Sequence, residues 1–171
     1  MWNNVNLDKY IYIAEKQESV LCFPHFSRKD AWELGQLMVS KILDENMTLA
    51  VSIRLVSGFV LFQYAPEGTA VNNENWMMRK FNLTRDMELS SLLYTMRLLK
   101  SKQTLEGKGM NPRYYALSGG GFPIRVSETG MIGVVVVSGL PHLADHDFVV
   151  ESISRFLKIS DIPRIPLNAK I

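Results

Sequence analysis

The sequence predicts an α+β fold, a mainly antiparallel sheet with helices packed on it, and three observations carry the prediction. Apolar strand-like runs near both ends of the chain are joined by turn-length segments, which pairs neighbouring strands antiparallel. Long stretches of helical apolar spacing lie between and after them and need a sheet face to bury against. The resulting order, α-β-β-α-α-β-β-β-α, lacks the strand–helix–strand alternation of a doubly wound dinucleotide-binding sheet.

The elements follow from local chemistry. Ser27 precedes Arg28-Lys29-Asp30 and the apolar positions Ala31, Leu34, Met38 and Ile42, an N-cap followed by helical spacing, which predicts a helix over 28–44. Leu49, Val51, Ile53 and Leu55 alternate with smaller or polar residues. Ser57-Gly58 then supplies a turn into the apolar run Phe59 to Tyr64, predicting a hairpin closed by Pro66 and Gly68. Asn72 to Asn75 lead into a short helix near Trp76. Leu89, Leu92, Leu93, Met96 and Leu99 signal a longer helix, bounded by Gly107 and Gly109. Strands are expected at Tyr114–Leu117, Phe122–Val126 and Gly133–Ser138, and a last helix from Pro141 to about Lys158, with Val149, Ile153 and Phe156 facing inward. The 171 residues read as one domain, with 159–171 as a proline-containing tail.

Composition excludes more than it selects. With 47% hydrophobic and 21% charged residues the chain buries a substantial core, which removes disorder and fibrous repeats from consideration. One cysteine, Cys22, cannot build a disulfide framework and points to a reducing compartment, so the chain reads as soluble and cytoplasmic. Tyr10 to Ala14 is too short for an export signal, and Met131 to Val137 is seven residues against the ~20 of a membrane span. A net charge of +2 does not announce a nucleic acid or an acidic membrane as partner. The balance is uneven along the chain, however: −3 over residues 1–75, +5 from Trp76 to Arg113, and zero over 114–171. The basic stretch is either a solvated helix surface or a face for an anionic ligand or an acidic neighbour.

Two segments carry unusual chemistry. Ser118-Gly119-Gly120-Gly121-Phe122-Pro123-Ile124 sets three glycines before a proline that opens a strand. Bare amides there cradle an anion, or the loop is a tight structural turn; it lacks the Gly-Lys-Ser/Thr ending of a phosphate loop. Val137-Ser138-Gly139-Leu140-Pro141-His142-Leu143-Ala144-Asp145-His146-Asp147 passes from strand to turn to helix start. His142 and His146 share a helical face, with Asp145 three residues after His142. Imidazole serves as a metal or haem ligand or as a proton-transfer group, while the acidic residues also suit the helix N-terminus. Beyond these two, only His25 and the lone Cys22 could add a nitrogen or sulfur ligand, so a metal site is not expected.

Four blocks carry a resemblance: Phe26-Ser27-Arg28-Lys29-Asp30-Ala31-Trp32-Glu33-Leu34-Gly35, Asn73 through Trp76 to Arg79-Lys80, Gly119 to Ile124, and Val137 to Pro141 with Asp145-His146. In this order, over about residues 20–160, the chain resembles an uncharacterised branch of the haem-degrading domain family. That family includes an extracellular haem-binding protein and the carboxy-terminal domain of some corrinoid adenosyltransferases. The resemblance implies a three-layer PAS- or profilin-like sandwich, a central antiparallel sheet with helices on both faces. It also implies a homo-oligomer, and a cleft where the glycine loop, the Ser-Gly turn and the acidic helix start meet. Gly120, Pro123, Ser138, Gly139 and Asp145 fit the broad pattern, and His146 is typical of the narrower branch. Gln63 to Thr69 stands where many relatives place an acidic-glycine turn.

Three readings stay open. In the first, a small anionic or planar ligand, haem among them, binds Trp76, Arg79, Lys80, Gly119, Gly120, Gly121, Pro123, Ser138, Gly139, His142 and His146, the cations pairing with its carboxylates. In the second, the chain is an enzyme using Asp145 and His146 as an acid–base pair. Neighbouring helical residues point about 100° apart, so that pair needs a further partner, and Ser118 and Ser138 lie in no nucleophile motif. In the third, the chain is an oligomeric interaction module, its tail Ile162-Pro163-Arg164-Ile165-Pro166-Leu167 docking on a neighbour.

Overall fold

The computed structural model describes residues 4–171. Helix α1 (Asn4–Val20) and helix α2 (Arg28–Asp44) precede strands β1 (Ala50–Leu55) and β2 (Val60–Tyr64). Helices α3 (Val71–Met87) and α4 (Ser91–Lys100) follow, then a short 3-10 turn (Glu106–Lys108), strands β3 (Gly121–Val126) and β4 (Gly130–Ser138), and helix α5 (His142–Leu157). The four strands form one antiparallel sheet in the order β2-β1-β4-β3.

The sheet separates two apolar layers, as the sandwich requires. Val51, Ile53, Phe122, Ile124, Val135 and Val137 pack under α2 and α5, with Leu34, Met38, Val149 and Ile153 at 0% exposure. On the opposite face Ala50, Val134 and Val136 meet Met77 and Phe81 of α3. A further cluster joins Ile11 and Ala14 of α1 to Leu92, Leu93 and Met96 of α4 and to Ile165 of the tail.

Helix α2 begins where the capping signal placed it. The Asp30 N–H donates to Ser27 Oγ at 3.2 Å and the Ser27 N–H donates to Asp30 Oδ2 at 2.6 Å. Elsewhere the structure departs from expectation. Helix α1 was not expected, and it is held from outside by α4. The helix near Trp76 is 17 residues long, since Asn73 Oδ1 accepts the Ala70 N–H at 2.9 Å and starts it earlier. Helix α4 ends at Lys100, well short of Gly107. The expected strand Tyr114–Leu117 is instead a turn: Asn111 Oδ1 accepts the Arg113 N–H at 2.9 Å and Asn111 O accepts the Tyr114 N–H at 2.9 Å, which folds the backbone back. The tail lies on its own chain, with Ile165 buried and Arg164 paired to Asp147.

Candidate functional site

The residues expected to line one cleft are divided between two places, and helix α3 divides them. Arg79 and Lys80 are consecutive on a helix, so their side chains leave it about 100° apart. Lys80 turns toward the sheet and is buried, whereas Arg79 turns toward the 111–115 segment and stays half-buried.

The inner place is a packed polar cluster. Lys80 Nζ donates to Asp145 Oδ2 at 2.6 Å and to Val137 O at 3.1 Å, and Asp145 Oδ1 accepts the Leu140 N–H at 2.9 Å. Burial pushes the Lys80 ammonium below and the Asp145 carboxyl above their ordinary ranges, and the mutual attraction of the pair opposes both shifts. The glycine loop covers this pair. Gly120 has φ +122°, and a methyl group there would lie 2.8 Å from Val137 O and 2.9 Å from Lys80 Nζ. One on Gly119 would strike His142 O, and one on Gly121 would lie 2.5 Å from Thr84 Oγ1. One on Gly139 would strike Thr48 O. Close backbone approach is thus the use the protein makes of these glycines, against which α3 and α5 pack, the tight structural turn of the two readings left open. Pro123 pairs with Val134 in β3, an edge strand that tolerates the missing donor.

The two histidines diverge from Asp145. His146 is 2% exposed, its Nε2 lies 2.8 Å from Gln17 Oε1, and its Nδ1 has no partner among the described residues. Since Gln17 Oε1 can only accept, Nε2 carries the proton and Nδ1 the lone pair. Burial lowers the imidazole to about 4, so it is neutral at neutral pH. His142 is half-buried, with its Nδ1 also unpartnered, and burial and the Lys80 charge lower its pKa. Asp145 therefore orients Lys80 and the turn at Leu140, not an imidazole. Neither the Ser118 nor the Ser138 hydroxyl hydrogen-bonds a histidine among the described residues; Ser138 presents its carbonyl to Asn73 Nδ2 at 3.1 Å.

The outer place is a groove of about 530 Å³ lined by Asn72, Asn75, Met78 and Arg79 of α3 and by Pro112, Arg113 and Tyr114. The Arg79 guanidinium lies 4.5 Å from the Trp76 ring centroid, donates from Nε to Pro112 O at 3.0 Å and from Nη2 to Tyr115 O at 3.4 Å. Stacking and two carbonyls fix its plane, and the rest of its five N–H donors have no acceptor among the described residues. Sequence reasoning named Trp76 and Arg79 but missed Asn72, Asn75, Met78, Pro112, Arg113 and Tyr114. The end of the basic stretch at Arg113 was the signal that could have located the far wall. Gln17, which fixes the His146 tautomer, left no signal in the sequence.

A haem group fits the inner cluster poorly. A ring buried to 2%, with its Nε2 already bonded and glycine backbone pressed against it, offers no face to a macrocycle. The outer groove fits better, having two guanidinium groups for carboxylates beside Met78, Pro112 and the Tyr114 ring. Among the described residues no three His, Cys, Asp or Glu side chains gather as a metal site, and no helix is long and apolar enough to cross a membrane.

Comparison with known proteins gives the chain's family and its fold. The chain is 36% identical over 157 residues to a UPF0303 protein of Serratia proteamaculans (strain 568), covering 91% of this chain and 97% of that one. Its fold is similar to the crystal structure of the Ybr137w protein, with a TM-score of 0.78, 24% identity, and coverage of 86% of this chain and 87% of that one. It is also similar to a PduOC:heme complex, with a TM-score of 0.63, 17% identity, and coverage of 75% and 93%. The family model described as Haem degrading protein HbpS-like matches residues 26–154, three quarters of the chain. The protein therefore belongs to the HbpS-like haem-degrading protein family.

Proposed function

We propose that this protein binds a small planar ligand carrying carboxylates, haem being the type, in the outer groove between α3 and residues 112–114. The observation that carries the reading is Arg79, whose guanidinium is held flat by Trp76 at 4.5 Å and by two backbone carbonyls beside a second arginine, Arg113. An immobilised guanidinium meets a carboxylate with little further loss of side-chain entropy. The groove volume of about 530 Å³ lies within the ordinary range for small-molecule sites. The family and the heme complex of a structural neighbour support the same ligand class. Arg79 and Arg113 would hold the propionates, and Met78, Pro112 and Tyr114 would face the macrocycle. Haem bound there would supply an iron centre, and Met78 and Tyr114 carry the thioether and phenol that could hold it.

Titrating ferric protoporphyrin into the purified protein tests this. A saturable Soret change is expected, weakened roughly tenfold or more by Arg79→Ala and by Arg113→Ala, since a charge-assisted contact is worth about 1.5–3 kcal/mol. His142→Ala is expected to leave it unchanged. No saturable change in the unaltered protein, or one insensitive to both arginines, overturns the proposal.

A further inference from the structure

Helix α3 does more than line the outer groove, because it also holds the opposite wall in place. Arg79, Asn82 and Asp86 stand at i, i+3 and i+7, one stripe along two turns, and each reaches the 111–115 segment. Arg79 Nε donates to Pro112 O at 3.0 Å and Nη2 donates to Tyr115 O at 3.4 Å. Asn82 Nδ2 donates to Tyr114 O at 3.0 Å, and the Tyr115 hydroxyl donates to Asp86 Oδ2 at 2.6 Å. Tyr115 is therefore held at both ends. Arg79 takes its carbonyl, and Asp86, about 10 Å farther along the helix, takes its phenol.

The wall has little else to hold it. The apolar anchors of its segment, Leu105 and Met110, come before it, and Leu117 comes after. Pro112 and Tyr114 belong to no apolar cluster among the described residues, and of this stretch only Tyr115 packs against the cluster of Leu83 and Leu98. Asp86 is itself oriented. Its Oδ1 accepts from Arg85 Nε at 2.6 Å, and the Arg85 guanidinium lies 5.4 Å from the ring centroid of Phe81, which is buried against the sheet. The Arg85 and Tyr115 hydrogen bonds hold the Asp86 carboxyl below its ordinary range, and the bond to Asp86 raises the Tyr115 phenol. The acceptor is thus ionised and the donor protonated at neutral pH, so the clasp is charge-assisted. Its consequence falls on Arg79. The Nη2 contact with Tyr115 O lies at the outer limit of a hydrogen bond, so a small shift of Tyr115 ends it. Arg79 and Arg113 face the groove from its two sides, and the place of the wall sets the spacing of their charges.

We propose that Asp86 is a positioning residue of the outer groove. Through the Tyr115 hydroxyl it fixes the wall, and with it the plane of Arg79 and the spacing of the Arg79 and Arg113 charges that a dicarboxylate ligand meets. Its effect on binding rests on the reading of this groove as the ligand site, whereas its effect on Arg79 does not.

Three single variants of the full chain, each checked for folding by thermal melting, test the role. Tyr115→Phe keeps the ring and removes the hydroxyl, Asp86→Ala removes the acceptor, and Asp86→Asn keeps an oxygen that accepts. The first readout is exchange of the Arg79 Nε–H with water in the unliganded protein, followed by NMR and assigned by its loss in Arg79→Lys. It is expected to quicken roughly fivefold or more in Tyr115→Phe and Asp86→Ala and to stay within about twofold in Asp86→Asn. The second is titration with ferric protoporphyrin, where the same two variants are expected to raise the dissociation constant roughly fivefold or more. The double variant D86A/Y115F is expected to bind no more weakly than the weaker single variant, since one bond is broken in all three. Unchanged Arg79 exchange in both variants overturns the proposal. Faster exchange with unaltered porphyrin affinity overturns the positioning of the ligand site, and additive losses in the double variant overturn the route through Tyr115. Absence of porphyrin binding in the unaltered protein defeats the haem reading, and the Arg79 exchange alone then upholds or overturns the role of Asp86.

Discussion

Lys80 Nζ and Asp145 Oδ2 lie 2.6 Å apart with side chains only 3% and 2% exposed, a salt bridge taken almost wholly out of water. Such a pair is a poor source of net stability but a costly one to break, since removing one partner strands the other charge in a low-dielectric interior. Lys80→Met and Asp145→Asn are each expected to lower unfolding free energy by about 3–5 kcal/mol. The double variant K80M/D145N recovers most of that, because the asparagine Oδ1 can still accept the Leu140 N–H. Urea unfolding of the four proteins gives the coupling, and additive losses would contradict it.

The glycine loop yields a comparison between two left-handed glycines. Gly120, at φ +122°, would place a methyl group 2.8 Å from Val137 O, whereas Gly58, at φ +89°, has nothing within 4 Å. Alanine at Gly58 therefore meets backbone strain alone, about 1 kcal/mol, and alanine at Gly120 adds a clash for a loss of at least about 2 kcal/mol. Chemical denaturation measures both. Equal losses would mean that the loop can move away from α5 and that its close approach is not required.

Local chemistry is what the sequence made legible. Ser27 and Asp30 cap α2 using neighbours three residues apart, and the β1–β2 hairpin and the start of α5 rest on equally local signals. Helix α1 escaped because Tyr10 to Ala14 is a short apolar run hemmed by Lys9, Glu15 and Lys16, and because it buries Gln17 and Glu18 along with Ile11 and Ala14. Such a face becomes intelligible only against α4. Within the site, Arg79-Lys80 is a single basic dipeptide in sequence but goes to two destinations. Nothing local says that Lys80 is buried, since its partner lies 65 residues away. The three glycines left an anion cradle and a tight structural turn equally open in the sequence. What approaches them could be learned only from the packing of α3 and α5.

The tail contributes to the fold that it straps. Gln17 Nε2 donates to Pro163 O at 2.8 Å, Arg164 pairs with Asp147, and Ile165, 4% exposed, enters the cluster of α1 and α4. Ile165→Ala is expected to cost about 2–4 kcal/mol by leaving a cavity, while Leu167→Ala, at a side chain 60% exposed, stays within about 0.5 kcal/mol. Melting temperatures of the two variants distinguish a docked tail from a loose one.

His146 makes stability fall in mild acid. In the unfolded chain its imidazole titrates near 6.5, and in the folded protein burial lowers it to about 4. Above 6.5 both states are neutral and the full stability is present. As pH falls from 6.5 toward 4 the unfolded chain takes up a proton that the folded one refuses, so stability is lost through that window and levels off below it. A separation of this size is worth about 3 kcal/mol. The charges facing the ring are Asp147, which favours protonation, and Arg164 and His142, which oppose it. Glu18 and Asp145, both raised by burial, contribute with the opposite sign, gaining stability as pH falls. The decisive quantity is therefore the difference between the unaltered protein and His146→Gln, followed by urea unfolding from pH 7.5 to 4. That difference should favour the unaltered protein most at neutral pH and shrink by about 3 kcal/mol toward pH 4. A difference that stays constant across the window would mean that the folded imidazole accepts its proton as readily as the unfolded one.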